Sequence, residues 1–177
     1  MGFSQFGCQP PPEFPESATY VGTVEGTNVV IGIVATGDKL VIYSGGGEGT
    51  IATHSRWFHG FNEGAFSVVR DAWTIDGTID LETASGLMLS PTGETWNWSA
   101  KYVDDGIRGV YQSVGPDCTT GVVVLDSTTA QGAWCNGTGL FAEVTPMATP
   151  IVPTVAGLLV RTIIDDQVEE FLVQPIW

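Results

Sequence analysis

The sequence predicts an all-β fold: a single-domain antiparallel meander closed into a barrel or sandwich of about 10–13 short strands, with little or no helix. Three observations carry that expectation. Residues 95–102 (TWNWSAKY) alternate strictly, with Trp96, Trp98, Ala100 and Tyr102 on one side of a pleated strand and Thr95, Asn97, Ser99 and Lys101 on the other. The 23 glycines and ten prolines punctuate the chain at the short intervals of tight turns. Hydrophobic residues make up 43% of the 177 and charged ones 15%, too apolar for a disordered chain and long enough to build a core without metals or many disulfides.

The charge balance narrows the partners. Six Lys and Arg against twenty Asp and Glu give a net charge of −14, which repels phosphate backbones and anionic headgroups. Nucleic acid is excluded as an expected partner. The longest weakly polar run, 147–160, is broken by Pro150 and Pro153 and falls short of the ~20 apolar residues of a spanning helix, so no transmembrane segment is expected.

Residues 1–17 (MGFSQFGCQPPPEFPES) carry four prolines and no periodic apolar pattern, the composition of an extended tail or tether. The all-β domain is expected over 18–177. Cys8, after the small Gly7 and before a polar, proline-rich spacer, resembles the acylated cysteine of a bacterial lipoprotein and is a candidate lipid anchor. Gln5 and Phe6 depart from that pattern.

Consecutive strands then follow at 20–24, 29–34 and 40–43, separated by Gly26, Gly37 and the run 45–49, each glycine supplying the positive φ that hairpins require. The 29–34 stretch (VVIGIV) is apolar on both faces and belongs centrally, with Gly32 permitting a bulge or a close approach. The run at 45–49 lacks the Gly-Lys-Ser/Thr ending of a phosphate loop and is expected to be a flexible hairpin loop leading into a further strand.

That strand, 50–60 (TIATHSRWFHG), concentrates the scarce basic groups of an acidic chain: both histidines and one of four arginines within six residues. If it is extended, Thr53, Ser55, Trp57 and His59 share one face while His54, Arg56 and Phe58 share the other. The histidines then point apart, so no joint metal site is expected, and no cofactor. His54, Arg56, Trp57 and His59 are candidate ligand-binding residues, able to grip a carboxylate or a sugar; the plainer reading fills a core with the aromatics and pairs the basic groups with nearby acids.

Residues 61–72 are irregular. Asp76-Gly77-Thr78 and Ser85-Gly86 read as turns between short strands, and Pro91-Thr92-Gly93 turns into the strand bearing Trp96 and Trp98, two further ligand-binding candidates. Asp104-Asp105-Gly106 ends that strand as a hairpin turn, and strands at 107–111, 140–144, 158–164 and 168–173 complete the chain.

Cys118 and Cys135 are expected to form a disulfide. Reading Asp126-Ser127 as a two-residue turn pairs Leu125 with Thr128, and counting back sets the cysteines opposite each other in a non-hydrogen-bonded pair, where Cα atoms lie about 4.5 Å apart. A longer Ser-Thr-Thr turn shifts the register and leaves them diagonal. The bond places folding in an oxidising, extracytoplasmic compartment, periplasmic, secreted or surface-tethered.

These features lead to a noncatalytic extracytoplasmic binding or assembly module with a protein partner. A carbohydrate-binding or small-ligand β-barrel is the alternative, built on the tryptophans. A hydrolase would have to draw on Asp76, Asp80, Glu82, Asp104 and Asp105, whose spacing foreshadows no catalytic pair.

Overall fold

The computed structural model describes residues 15–176. Cys8, the candidate anchor, lies outside the described residues, as does most of the expected tail; Ser17 already opens the first strand.

Two antiparallel sheets follow each other along the chain. The first comprises β1 (Ser17–Val24), β2 (Val30–Thr36), β3 (Lys39–Gly45), the single helical turn α1 (Ile51–His54), β4 (Arg56–Phe61), β5 (Ala65–Arg70), β6 (Trp73–Ile79), β7 (Thr83–Leu89) and β8 (Thr95–Val103). Its eight strands run in the order β4-β3-β2-β1-β8-β7-β6-β5, a meander stitched where β1 pairs with β8 in the register Tyr20 to Tyr102. The second comprises β9 (Gly109–Val114), β10 (Thr119–Val124), β11 (Ala130–Cys135), β12 (Phe141–Pro146), β13 (Leu158–Ile164) and β14 (Gln167–Pro175). These six close into a barrel through Gln174 opposite Gln112 and Pro175 opposite Tyr111. The all-β meander is as expected, with fourteen strands among the described residues in place of about 10–13. Among the described residues no helix is long and apolar enough to cross a membrane.

Each sheet encloses its own core. Trp98 is 1% exposed and sits inside the first with Tyr20, Phe58, Ile31, Ile33 and Met88, while Trp96 and Tyr102 pack against that cluster from the same strand face. Gly77 and Gly86, expected in turns, lie within β6 and β7 instead. A side chain at Gly77 would collide with the Trp98 ring, and one at Gly86 with the Asp76 backbone, so these glycines make room rather than bend the chain.

A third apolar cluster joins the sheets. Val21, Val30, Val34, Tyr43 and Val103 on the outer face of the first meet Val110 and Val123 on the outer face of the second. This explains the two-sided apolarity of 29–34: Ile31 and Ile33 point into the first core while Val30 and Val34 point at the neighbouring sheet. Burying each such valine is worth about 1.5–3 kcal/mol. Gly32 permits the approach, since a Cβ there would press on Val110 and Val123.

Candidate functional site

The cleft beside β4 is built by the stretch that concentrates the basic residues, although not as one strand. The expected extended run 50–60 is broken: Ile51–His54 forms one helical turn, closed by the His54 amide donating to the Thr50 carbonyl at 2.8 Å, and extension begins only at Arg56. The preceding glycine loop is tied in place, with the Gly46 amide donating to Ser55 Oγ and the Gly47 amide to Thr50 Oγ1, both at 3.0 Å. Close packing around Gly46 and Gly47 leaves no space for a Cβ at either.

The helical turn sets His54 over the end of the first sheet. Its ring meets Trp73 edge-on with centroids 4.8 Å apart and Trp96 at 5.8 Å, while the two indoles lie 16° from parallel. The Arg56 guanidinium stands 4.7 Å over Trp73, a cation–π contact. Burial, and then the nearby Arg56 charge, push the His54 pKa below its ordinary value, against weaker opposing pulls from the Thr50 backbone and then Glu94. Arg56 Nε is buried without a hydrogen-bond partner among the described residues.

Asp71 reaches in from the β5–β6 turn. Its carboxylate lies 3.7 Å from Arg56 and 3.5 Å from Arg70, so one anion serves two cations. The turn that places it uses two non-glycine residues at positive φ, Asp71 at 50° and Ala72 at 64°.

On the opposite face of β4, Trp57 packs against Tyr43 with centroids 4.6 Å apart and donates its indole N–H to the Thr119 carbonyl at 2.9 Å. His59, further along that face, is exposed. Together with Arg56, Arg70 and Asp71 these groups form one wall of a cleft of about 440 Å³, whose other wall is the β9–β10 loop with Asp117, the cysteine pair and Phe141. Cys118 and Cys135 are bonded, with Cα atoms 5.9 Å apart. The route to that pairing differs from the expected one. Leu125 to Thr129 form a longer turn, with the Asp126 carboxylate accepting from the Thr128 and Thr129 amides, and Val124 pairs with Ala130, one residue off the two-residue-turn register.

Of the six ligand-binding candidates, Arg56, Trp57 and His59 line this cleft, and His54 and Trp96 stand together behind Arg56. Trp98 is elsewhere, sealed in the first core with its N–H donated to the Asp76 carbonyl at 3.2 Å. Sequence reasoning missed Tyr43, Arg70 and Asp71; Trp73 is among the tryptophans considered as sugar platforms but was not placed beside Arg56. The acids weighed for hydrolysis include two with structural work: Asp80 accepts the Glu82 and Thr83 amides, and Asp105 those of Ile107 and Arg108. Among the described residues, no three His, Cys, Asp or Glu side chains gather at metal-ligand distance.

No protein-family model, curated protein or solved structure matches this chain. What the cleft can do follows from its own chemistry. Two of the four arginines of a chain with net charge −14 meet there, sharing one carboxylate beside an aromatic wall. That combination suits an anionic group carried on an apolar stem.

Proposed function

We propose that the protein is a noncatalytic, extracytoplasmic binding module that holds a carboxylate-bearing segment of a protein partner in the cleft between its two sheets. The observation that carries this reading is the Arg56–Asp71–Arg70 arrangement, in which one carboxylate stands 3.7 and 3.5 Å from two guanidiniums, so that two cations share one anion on this wall, across the cleft from Asp117. A volume of about 440 Å³ suits a few side chains rather than a whole domain. Trp57, half-buried on the cleft wall and backed by the buried Tyr43 ring, offers the apolar contact that anchors such segments. The Cys118–Cys135 bond supports an oxidising compartment.

The carbohydrate reading ranks second because the near-parallel indoles, Trp73 and Trp96, face inward: Trp73 is only 7% exposed and Trp96 packs on the first core. A sugar platform needs its rings in solvent. The test immobilises the wild type and Arg70→Gln and exposes both to extracytoplasmic proteins. A partner retained by the wild type and held about fivefold less by the variant supports the reading, that factor being the ~1 kcal/mol of a partly exposed ion pair. Equal retention by both proteins removes the cleft from the account. No retention, with a melting temperature raised by an oligosaccharide, replaces this function with the alternative.

A further inference from the structure

The outer face of the β13–β14 hairpin carries three cross-strand rows: Leu159 opposite Leu172, Arg161 opposite Glu170, and Ile163 opposite Val168. All six side chains are exposed. The apolar four are 46%, 37%, 63% and 59% accessible for Leu159, Leu172, Ile163 and Val168, while the alternate residues Leu158, Val160, Thr162 and Val173 fill the barrel side. The rows span about 13 Å along the strands. Arg161 has no ion pair within 4.0 Å among the described residues, and its one side-chain hydrogen bond, to Thr145 Oγ1, is a long 3.4 Å.

We infer that this face binds a second copy of the chain, face to face about a two-fold axis running along the hairpin. Such an axis exchanges the two strands without changing rows. Leu159 of one copy therefore lies over Leu172 of the other, Ile163 over Val168, and Arg161 over Glu170 twice. The interface is isologous, each side being its own complement. Because the charged row is central, its match survives the roughly 30° rotation at which twisted sheets pack.

Charge complementarity selects this occupant over a lipid surface. In a bilayer Arg161 and Glu170 would enter hydrocarbon with only each other across the strands, whereas in the dimer each charge also meets its opposite on the second copy. Six residues make a small interface, under about 1,200 Å², so the dimer dissociates reversibly. The overall charge of −14 opposes association at long range, and about 0.15 M salt, with its Debye length of about 8 Å, screens that repulsion.

The experiment is analytical ultracentrifugation at that ionic strength from about 1 µM to about 1 mM, the range over which a weak dimer forms and falls apart. The wild type is expected to shift from monomer to dimer. Arg161→Glu alone and Glu170→Arg alone each place like charges in both contacts and weaken dimerisation by at least about tenfold. Mixing these two variants in equal amounts restores the dimer, since every contact in the mixed pair then joins opposite charges although each chain keeps its own like-charged row. Ile163→Thr weakens dimerisation with the charges untouched. A wild type monomeric at about 1 mM, or a mixture no more associated than its components, overturns the inference.

Discussion

The two sheets solve the same packing problem with different side chains. The eight-stranded sheet fills its interior with Trp98, Tyr20, Phe58, Trp73 and long aliphatics, whereas the six-stranded barrel relies on Val122, Val124, Val144, Val160 and Val173 around Tyr111, with Trp134 and Phe171 only partly buried against them. Barrel width grows with strand number, so the wider sheet needs larger groups to reach its axis. They also close differently. Hydrogen bonds between β14 and β9 seal the second barrel, but β4 and β5 end the first sheet with no ladder between them. Side chains bridge that seam: Arg56 reaches Asp71, and Gly60 lies so close to Val68 that a Cβ would strike it. The candidate cleft opens beside this seam, where the edges of the wider sheet are held by contacts more easily exchanged for a ligand than a backbone ladder is.

The sharpest way to break the comparison is to empty each core in turn. Trp98→Ala is expected to cost about 3–5 kcal/mol and Val160→Ala about 2 kcal/mol, measured by urea unfolding, because the cavity left by an indole exceeds that left by two methyl groups. Equal losses would show that ring size does not decide the wider core. Next in size is the joint between the sheets. The Ala133 amide donates to the buried Tyr43 hydroxyl at 3.0 Å, and the Tyr43 ring fills the space a side chain at Gly121 would take. Tyr43→Phe leaves that amide unpaired, at about 1–3 kcal/mol. Hydrogen exchange at Ala133 should quicken in the variant, and an unchanged rate would mean the sheets are not coupled through this bond.

How much of this was legible in the sequence depends on which physical signal each residue leaves. Alternation at 95–102 directly reports a half-buried strand, and burial of Trp98 and Ala100 against exposure of Asn97 and Ser99 follows it. Two-sided apolarity at 29–34 reports two-sided burial, but not that a second sheet is the other neighbour. A meander of short strands carries no mark of where it closes, since β1 finds β8 across some seventy residues of intervening chain, as in Val24 opposite Trp98. Glycine proved ambiguous: Gly26 and Gly37 have positive φ in turns, whereas Gly77 and Gly86 serve packing inside strands. The seam was hidden for the converse reason. Asp71 and Ala72 turn the chain at positive φ without glycine, so Arg70 and Asp71 gave no hairpin signal and were not placed beside Arg56. Threonines at 50 and 53 masked the helical turn that carries His54.

The smallest expected effect tests how tightly that turn caps the wider sheet. His54 titrates below the usual histidine value in the folded chain, chiefly through burial against Trp73 and Trp96 and secondarily through Arg56. The unfolded chain takes up its proton first, near pH 6.5. Between that value and the lower folded one the unfolded state holds more protons, so stability rises with pH in this window, is complete above about 6.5 and is lost as pH falls below it. Carboxylates act elsewhere: Asp80, held low by the Thr83 and Glu82 amides, contributes stability that is lost only as pH falls below about 4. Unfolding midpoints of the wild type should therefore decline from about pH 7.5 to pH 5, and His54→Gln should flatten that decline. Parallel pH profiles in the two proteins would place the imidazole in solvent instead of on the indoles, and the cap over the open end of the first sheet would have to be sought in Arg56 alone.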